Sequence, residues 1–541
     1  MEKRITPQEL EIGGHFKSFY SWQEKALEAI KASDKKTFLL DGPPGTGKSL
    51  IGIAAIKLFQ HGKITREVLA RLTHDDQAMS KEHRCVYLTA TKQLQSQIQD
   101  EFEYIPTVMG RNNFPCPLLC DKNPDATAED CIHSTDRPCP QISSCPYRVH
   151  KQRAVTSPIS TLNYAYFLAE ANNVGQFSNI GLVIVDEVDS LEKQLMSHIQ
   201  LSFSESQLAK YRIPLPKDVS NLVYWMSWAD ETINTLRTRV TEMQPYLRTD
   251  PGEWSTVDID IHRQSKKMES FMNKLRQFIR DVNDTWIFYK DDDKWIFKPI
   301  KVNYAADEYL WRHAKKTLGM SGTVFNPAIL ADGVGITNYD YLALPSPFPV
   351  ENRPIYYTPV ANLTYNRMTE ELPKLTEAVR KIISTYPNKK LLVHTCSYEV
   401  QKYLLSHLSS TRVVIHNSDD REDKLDMFKD SLEPLVMLSP SFDRGVDLPN
   451  ETNLGAIIIC KVPYLSLADR QVAARLKMPG GQEWYNTRTA QTIVQMSGRG
   501  VRKVTDRCDC FVLDKQFTSL LQRTRSILPA WWLEAIQRRK I

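Results

Sequence analysis

Gly42-Pro-Pro-Gly-Thr-Gly-Lys-Ser49, preceded by Thr37-Phe38-Leu39-Leu40 and followed by Leu50–Gln60, is the stretch from which the rest of the chain is read. It has the form G-x-x-x-x-G-K-S. Gly42, Gly45 and Gly47, with Thr46 in the same turn, let backbone N–H groups point at phosphate oxygens. Lys48 supplies a point charge for the β- and γ-phosphates, and the Ser49 hydroxyl is a ligand for Mg²⁺. The apolar run before the loop reads as a buried strand and the segment after it as a helix, the context this loop requires. A strand–loop–helix unit of this kind belongs to an α/β fold with a parallel sheet.

Two further segments carry chemistry. Asp186-Glu-Val-Asp189 follows the apolar run Gly181–Val185, so its carboxylates project from the C-terminal end of a strand, where open α/β sheets bind ligands. Asp186 is expected to hold Mg²⁺ and Glu187 to orient and deprotonate an attacking water, because phosphoryl transfer needs positioning and charge stabilisation more than covalent help. Gln495-Met-Ser-Gly-Arg-Gly-Val-Arg502 sets Arg499 and Arg502 on one helix face, with Gln495 a turn earlier. Arginines at a helix end are commonly surface cations; as fingers reaching a nucleotide they are worth ~10³–10⁵ in rate. Together the three segments describe an engine that hydrolyses ATP between two lobes. Gln23, behind Phe19, Tyr20 and Trp22, is a candidate to read the adenine edge, and equally a solvated residue of an amphipathic helix.

A chain of 541 residues accommodates two to four domains. Its net charge of +5 is the small difference of 69 basic and 64 acidic residues, so nucleic-acid contacts must come from local patches. No apolar run approaches the ~18–20 residues of a membrane span, and the start, Met-Glu-Lys-Arg-Ile-Thr-Pro, lacks the apolar stretch of a signal peptide. The expectation is a soluble, intracellular protein without membrane contact. Short apolar runs recur at Thr37–Leu40, Cys85–Leu88, Leu182–Val185, Lys390–Val393, Leu435–Leu438, Ala456–Ile459 and Phe511–Leu513, between helical patterns.

That alternation breaks twice. Residues 106–150 are rich in Pro, Cys, Asp and Asn, and are expected to need a staple such as a metal to hold a shape. Residues 195–310 show helical periodicity over Val219–Leu247 and Ile261–Val282. A hairpin is expected from Trp286-Ile-Phe-Tyr289 and Trp295-Ile-Phe297 around the charged link Lys290–Lys294. Five of the ten cysteines lie between Cys116 and Cys145. Cys116, Cys131, Cys139 and Cys145 are separated by fourteen, seven and five residues, whereas structural zinc usually includes a C-x₂₋₄-C pair, here only Cys116–Cys120. A cubane presents four separate irons, each wanting one thiolate, and tolerates wider spacing. The spacing admits a [4Fe–4S] cluster, zinc or free thiols. Cys85, Cys396, Cys460, Cys508 and Cys510 sit in or beside apolar runs and read as core residues.

These pieces resemble the iron–sulfur DNA helicases of superfamily two, the XPD/DinG group, over nearly the whole chain. Met320-Ser-Gly-Thr323 resembles the lobe-coupling motif of that family. Ser439-Pro-Ser-Phe-Asp-Arg-Gly-Val-Asp447 resembles its second-lobe motif, which implies a nucleotide-sensing role for Asp447. Gly110-Arg-Asn-Asn-Phe-Pro-Cys116 and Cys145-Pro-Tyr147 resemble the borders of the cluster domain, and Asn163-Tyr-Ala-Tyr166 the segment after it. That resemblance implies a [4Fe–4S] cluster on Cys116, Cys131, Cys139 and Cys145, with Cys120 as the spare. The second ATPase segment departs from the family by ending in Asp189 where a histidine is usual, which bears on its contact to the coupling motif. Thr89-Ala-Thr-Lys-Gln93 and His394-Thr-Cys-Ser-Tyr398 resemble strand-gripping motifs of the two lobes, although Ser and Thr after a strand are commonly helix caps. Tyr224, Trp225, Trp228, Trp286 and Trp295 suit core packing better than base stacking.

The resemblance implies two RecA-like helicase lobes, with a cluster insertion and a helical, arch-like insertion in the first. The expected division is 1–105, 151–195 and 311–334 for the first lobe, 106–150 for the cluster domain, 196–310 for the arch and 335–541 for the second lobe. It further implies a monomeric, ATP- and Mg²⁺-dependent helicase that acts on single-stranded and forked DNA in repair, replication or recombination, with 5′→3′ polarity. Two other readings stay open: a nucleic-acid-stimulated ATPase that remodels protein–DNA complexes, and a non-motor DNA-binding metal protein.

Overall fold

The computed structural model describes residues 5–13, 16–62, 84–133, 139–246, 253–408, 410–442, 448 and 453–539. Two parallel sheets organise the chain. The first is built from β1 (Thr37–Asp41), β2 (Cys85–Thr89), β3 (Ile159–Asn163), β4 (Ile180–Asp186), β8 (Ala314–Ser321) and β9 (Tyr339–Ala343), in the order β3-β2-β4-β8-β1-β9. The second contains β10 (Ile355–Ala361), β11 (Lys390–His394), β12 (Val413–Ile415), β13 (Val436–Ser439), β14 (Leu454–Ile459), β15 (Asp509–Asp514) and β16 (Ile536–Arg538), in the order β12-β13-β11-β14-β15-β10-β16. Helices cover both faces, so central strands such as β1, β2 and β11 are buried at every position and read as near-continuous apolar runs. All seven apolar runs of the sequence are strands of these sheets.

The strands that the sequence hides carry polar residues satisfied inside the fold. In β8, Lys316 is buried and its ammonium donates to the Ser33 carbonyl at 2.9 Å. In β3, the Thr161 carbonyl accepts from the Thr107 hydroxyl at 3.0 Å and from the Gln95 amide at 3.2 Å. A lysine or threonine at such positions looks like a surface residue until its partner is known.

The insertion after β4 pairs β5 (Leu201–Ser204), β7 (Lys294–Pro299) and β6 (Trp286–Asp291) as an antiparallel sheet in the order β5-β7-β6. The expected hairpin is present, and Asp292 turns it with a left-handed backbone (φ 49°), which aspartate tolerates. The helices Leu222–Met243 and Thr256–Asp281 pack on one another and on the sheet. Phe203 lies among the rings of Trp225, Trp228, Phe271, Phe278 and Phe297, all with centroids 5.4–6.2 Å away. Trp225, Trp228 and Trp286 are buried, Trp295 is half-buried and Tyr224 is exposed, so the three buried tryptophans are committed to packing.

The cysteine-rich segment, which its sequence marks as unable to form a core unaided, is supported from elsewhere in the chain. It has a core that it does not build alone: Cys116, Leu119, Ala126 and Ile132 pack with Trp254 and Ile259 of the long-helix insertion. Arg263 adds a bidentate pair to Asp130 at 2.7 and 2.9 Å. The apolar surface missing from 106–150 is supplied by a segment more than a hundred residues away. At the other end of the insertion, Lys298 meets Asp469 at 3.3 Å, Gln471 donates to the Ile300 carbonyl at 2.6 Å, and the Arg470 guanidinium lies 5.2 Å from the Tyr289 ring. The insertion therefore touches the second sheet's domain as well as the first. Among the described residues no helix is long and apolar enough to cross a membrane.

Candidate nucleotide site

The phosphate loop leaves β1 and ends at Gly47, the N-cap of the helix Lys48–Gln60. Gly45 and Gly47 have φ of 80° and 71°, a region costly for side chains bearing a Cβ. Both also meet close neighbours: a Cβ at position 45 would overlap the Phe348 ring, and one at 47 would come within 2.4 Å of Gln23 Nε2. Gly42 N–H donates to the Ser321 carbonyl at 2.8 Å, joining the loop to the end of β8. Lys48 Nζ donates to the Gly42 carbonyl at 2.7 Å, inside the loop. Burial lowers the Lys48 pKa, against the opposing charge of Asp186.

Asp186 ends β4, and burial raises its pKa, against the attraction of Lys48. Its Oδ2 accepts from the Tyr87 hydroxyl at 3.0 Å and its Oδ1 from the Glu187 N–H at 2.9 Å, while its carbonyl accepts from the Tyr164 hydroxyl at 2.6 Å. Ser49 is close enough to act on the Tyr87 hydroxyl, so one buried tyrosine lies between both candidate magnesium ligands. The sequence offered no signal for this, since a tyrosine inside an apolar strand looks like core. Glu187 holds a left-handed backbone at φ 50°, a conformation that costs a non-glycine residue about 1 kcal/mol or more and clusters at functional sites. Asp41, at the end of β1, is buried, and desolvation pushes its pKa up to about 6.

The second wall comes from the helix Gly481–Ser497 and the turn after it. Lys48, Glu187, Thr323, Gln495, Arg499 and Arg502 line one cleft of about 150 Å³ between the two sheets. Gln495 Nε2 donates to Asp189 Oδ2 at 2.9 Å and to Thr323 Oγ1 at 3.0 Å, and the other Asp189 oxygen accepts from Ser321 Oγ at 2.5 Å. The contact of Asp189 to the coupling segment is thus made by a carboxylate. Arg499 is buried beside His394; burial and that guanidinium hold the His394 pKa down at about 3.

Behind the cleft, buried Glu192 takes ion pairs from Arg475 and Arg488 and a hydrogen bond from Trp484 at 3.3 Å. Burial lowers the Arg475 pKa to about 9, with Arg488 adding to the effect. This second interdomain link is not encoded in any local motif. Removing one partner of such a buried group costs about 3–5 kcal/mol.

Gln23 turns into the loop, its amide donating to the Thr46 carbonyl at 3.0 Å. Asp447 lies outside the described residues. The strand-gripping candidates are helix caps in this structure: Thr91 Oγ1 accepts from Leu94 N–H at 3.2 Å and Ser397 Oγ from Glu399 N–H at 3.2 Å. Their near-symmetry is matched by Thr89 and Thr395, whose hydroxyls donate to the carbonyls two residues on, both at 3.1 Å. A broader cleft of about 590 Å³ includes Thr91, Lys92, Gln93, Lys193, Gln194 and Arg421, bringing cations of both domains to one groove.

Burial raises the Cys116 thiol's pKa, and Cys131 and Cys139 are near enough to add to that shift. Cys145 caps the helix Pro146–Thr156, and Cys120 N–H donates to the Cys116 carbonyl at 2.9 Å. Among the described residues, no three His, Cys, Asp or Glu come together closely enough to hold a single metal ion. Thiols are the donor type that both a thiolate-ligated cluster and a tetrahedral zinc ion take.

The family model of DEAD/DEAH box helicases matches residues 20–220, and that of the helicase C-terminal domain matches residues 379–535. "ATP-dependent DNA helicase XPD" of Sulfolobus acidocaldarius is 20% identical, with 92% of this chain and 96% of the relative covered. A protein of Methanocaldococcus jannaschii named "Probable ATP-dependent helicase" is also 20% identical, over 92% of this chain and 91% of its own length. A solved XPD helicase superposes with a TM-score of 0.62 at 17% identity, covering 97% of this chain and 100% of the other. The Xpd4 structure of S. tokodaii gives 0.58 at 15% identity, covering 96% and 100%.

Proposed function

The chain belongs to the XPD/DinG-like helicases of superfamily two, enzymes that hydrolyse ATP, and from that premise we propose that it tracks 5′→3′ along single-stranded DNA and parts forked duplex in repair, replication or recombination. One observation carries the motor reading: Asp189 joins the carboxylate segment of the first lobe to Gln495 of the second, across the cleft that Lys48 and Arg499 line.

In this reading the Lys48 ammonium exchanges the Gly42 carbonyl for phosphate oxygens, and the N–H groups of Gly45 and Gly47 turn to the same anion. Mg²⁺ would be held by Ser49 and Asp186, neutralising phosphate charge. Tyr87 keeps the Asp186 carboxylate aimed at that position. Glu187 receives a proton from the attacking water, and Arg499 and Arg502 approach the leaving charge as the lobes close. Gln495 makes closure and the alignment of the Asp186–Asp189 segment one event.

Cys116, Cys131, Cys139 and Cys145 would hold a [4Fe–4S] cluster that staples the 106–150 segment and supplies no nucleotide contact. The Lys92–Arg421 groove is the candidate path for one strand, bound through phosphates without base reading. The division proposed is a first lobe of 1–105, 151–195 and 311–334 interrupted by 106–150 and 196–310, then a second lobe of 335–541, working as a monomer.

The test is unwinding of a labelled fork with and without ATP, on substrates tailed at either end. ATP-dependent strand release only with a 5′ tail is the expected result. Hydrolysis stimulated by single strands without any release would favour the remodelling ATPase.

A further inference from the structure

One guanidinium of the second lobe holds three groups at once. Arg488 lies on the helix Gly481–Ser497. Its Nη1 donates to the Asp189 carbonyl at 2.6 Å and to Gln491 Oε1 at 3.0 Å, and its Nη2 donates to the Glu192 carboxylate. Gln491, itself buried, turns its amide N–H to the Thr323 carbonyl at 2.8 Å. Glu192 is also paired with Arg475 of the helix Arg470–Leu476, whose guanidinium lies 4.2 Å from the centre of the Trp484 ring. Arg488, Gln491 and Gln495 recur at intervals of three and four residues and so share one helix face. That face meets the Asp186–Asp189 segment and the coupling segment of the first lobe together. The helix stops at Ser497, and Arg499, two residues on, lines the nucleotide cleft; Arg488 does not.

From this arrangement we infer that Arg488 is a positioning residue: it fixes the rotation and axial register of the helix Gly481–Ser497 on the first lobe, and so sets the level at which Arg499 enters the cleft. The inference rests on the proposed reading of Arg499 as a finger that meets phosphate charge. The Gln495–Asp189 bond alone would leave the helix free to pivot about it. Arg488 adds a second attachment seven residues earlier, about 10 Å along the axis, and removes that pivot. A slip of one residue would shift the helix by about 1.5 Å and turn its face by about 100°, breaking the bonds to Asp189, Glu192 and Thr323 in one step. Arginine suits the task because its planar fork presents donors in fixed directions, whereas a lysine ammonium is a point charge on a flexible stem. Asp189 takes Gln495 on its carboxylate and Arg488 on its carbonyl, so the finger helix and the carboxylate segment are located by the same residue.

The experiment measures ATP hydrolysis by the full-length protein with excess single-stranded DNA, and the affinities of ADP and of ADP with aluminium fluoride, a mimic of the phosphoryl group in transfer. The variants are Arg488→Lys, Arg488→Gln, Arg499→Ala and the double variant Arg488→Gln/Arg499→Ala. Arg499→Ala should lower kcat by at least ~10³-fold. Arg488→Gln should lower kcat by about 10–100-fold, with KM and ADP affinity within about threefold of wild type. Its affinity for ADP with aluminium fluoride should fall by the same factor as kcat, because only the transition state feels the finger. Arg488→Lys, which keeps the charge and loses the fork, should lie between wild type and Arg488→Gln. The double variant should be no more than about threefold slower than Arg499→Ala, since positioning is worth nothing once the finger is gone. Losses that multiply in the double variant, or an Arg488→Gln kcat within about threefold of wild type, overturn the inference and leave the finger reading standing. If Arg488→Gln fails to fold, the same comparison made with Arg488→Lys/Arg499→Ala decides it. Arg499→Ala protein that turns over at the wild-type rate overturns the finger reading and this inference with it.

Discussion

Asp189 accepts from Gln495 Nε2 at 2.9 Å with one carboxylate oxygen and from Ser321 Oγ at 2.5 Å with the other. A neutral imidazole offers one donor and one acceptor; a carboxylate offers acceptors to both neighbours at once. The position usually held by histidine therefore keeps its contact to the coupling segment here, with the donor and acceptor roles assigned differently. At 1% exposed, the side chain has no water to replace either partner.

Asp189→Asn puts a donor where one of two donors already points. Turnover of ATP at saturating single-stranded DNA should fall about 10–100-fold, with KM within threefold of wild type, because the contact acts on closure. Gln495→Ala should do the same, and the double variant should be little worse than either single, since both break one link. Steady-state kinetics of the three variants read this directly; additive losses would mean that the two residues act separately.

Lys48→Ala and Glu187→Gln should each lower hydrolysis by at least ~10³-fold while the melting temperature and single-strand affinity stay near wild type. Lys48 makes one hydrogen bond, within its own loop. Glu187 is more constrained, and glutamine keeps its shape and its left-handed backbone. Near-wild-type turnover by Lys48→Ala protein would remove the motor reading.

Asp41 gives a pH dependence of definite sign. Burial raises its carboxyl from 3.8 to about 6. Between those values the folded chain binds more protons at this site than the unfolded chain, so its contribution to stability falls as pH rises, by about 3 kcal/mol in all. His394, held down at about 3, and His313, at about 4, act in the opposite sense: the unfolded chain takes their protons first, and stability is lost as pH drops below 6.5. Denaturant midpoints of wild type and Asp41→Asn separate the effects. The variant should gain on wild type as pH is raised from 4 to 7, with most of the gain below 6. A flat difference would show that Asp41 is not held protonated by burial.

Serine at Cys116, Cys131, Cys139 or Cys145 should abolish the broad visible absorption expected of an iron–sulfur centre, and Cys120→Ser should keep it. Because Cys116 shares a core with Trp254 and Ile259, loss of the centre should also speed amide exchange in the first turns of the helix Thr256–Asp281. Unwinding should be lost while some hydrolysis remains. A colourless protein carrying one zinc, or unchanged exchange in that helix, would contradict this account.

Much of the frame was legible because phosphate binding and parallel strands write themselves locally. A loop with glycines at 42, 45 and 47 must turn, and a run such as Leu182–Val185 has no place but a buried strand. Residues whose role depends on a distant partner were not legible. Tyr87 looks like core until Asp186 and Ser49 are brought to it. Glu192 is an ordinary helix glutamate until Arg475 and Arg488, nearly three hundred residues later, close on it. The 106–150 segment seemed to lack a core because its missing wall, Trp254, belongs to another insertion. Gln23 was found as a residue, but the direction of its amide depends on the Thr46 carbonyl.

The helix Thr256–Asp281 has 26 residues and is therefore about 39 Å long. Its C-terminal end is pinned where Asp281 accepts from the Tyr309 hydroxyl at 3.2 Å, and its N-terminal end follows Trp254 at the cysteine-rich segment. It is a lever arm with its fulcrum on the first lobe, next to the hairpin that Asp469 and Gln471 of the second lobe grip. A rotation of 5° at the fulcrum sweeps the far end by about 3 Å, comparable to the rise of two helical residues. Any such rotation would load the core that Trp254 shares with Cys116 and the Arg263–Asp130 pair beside it.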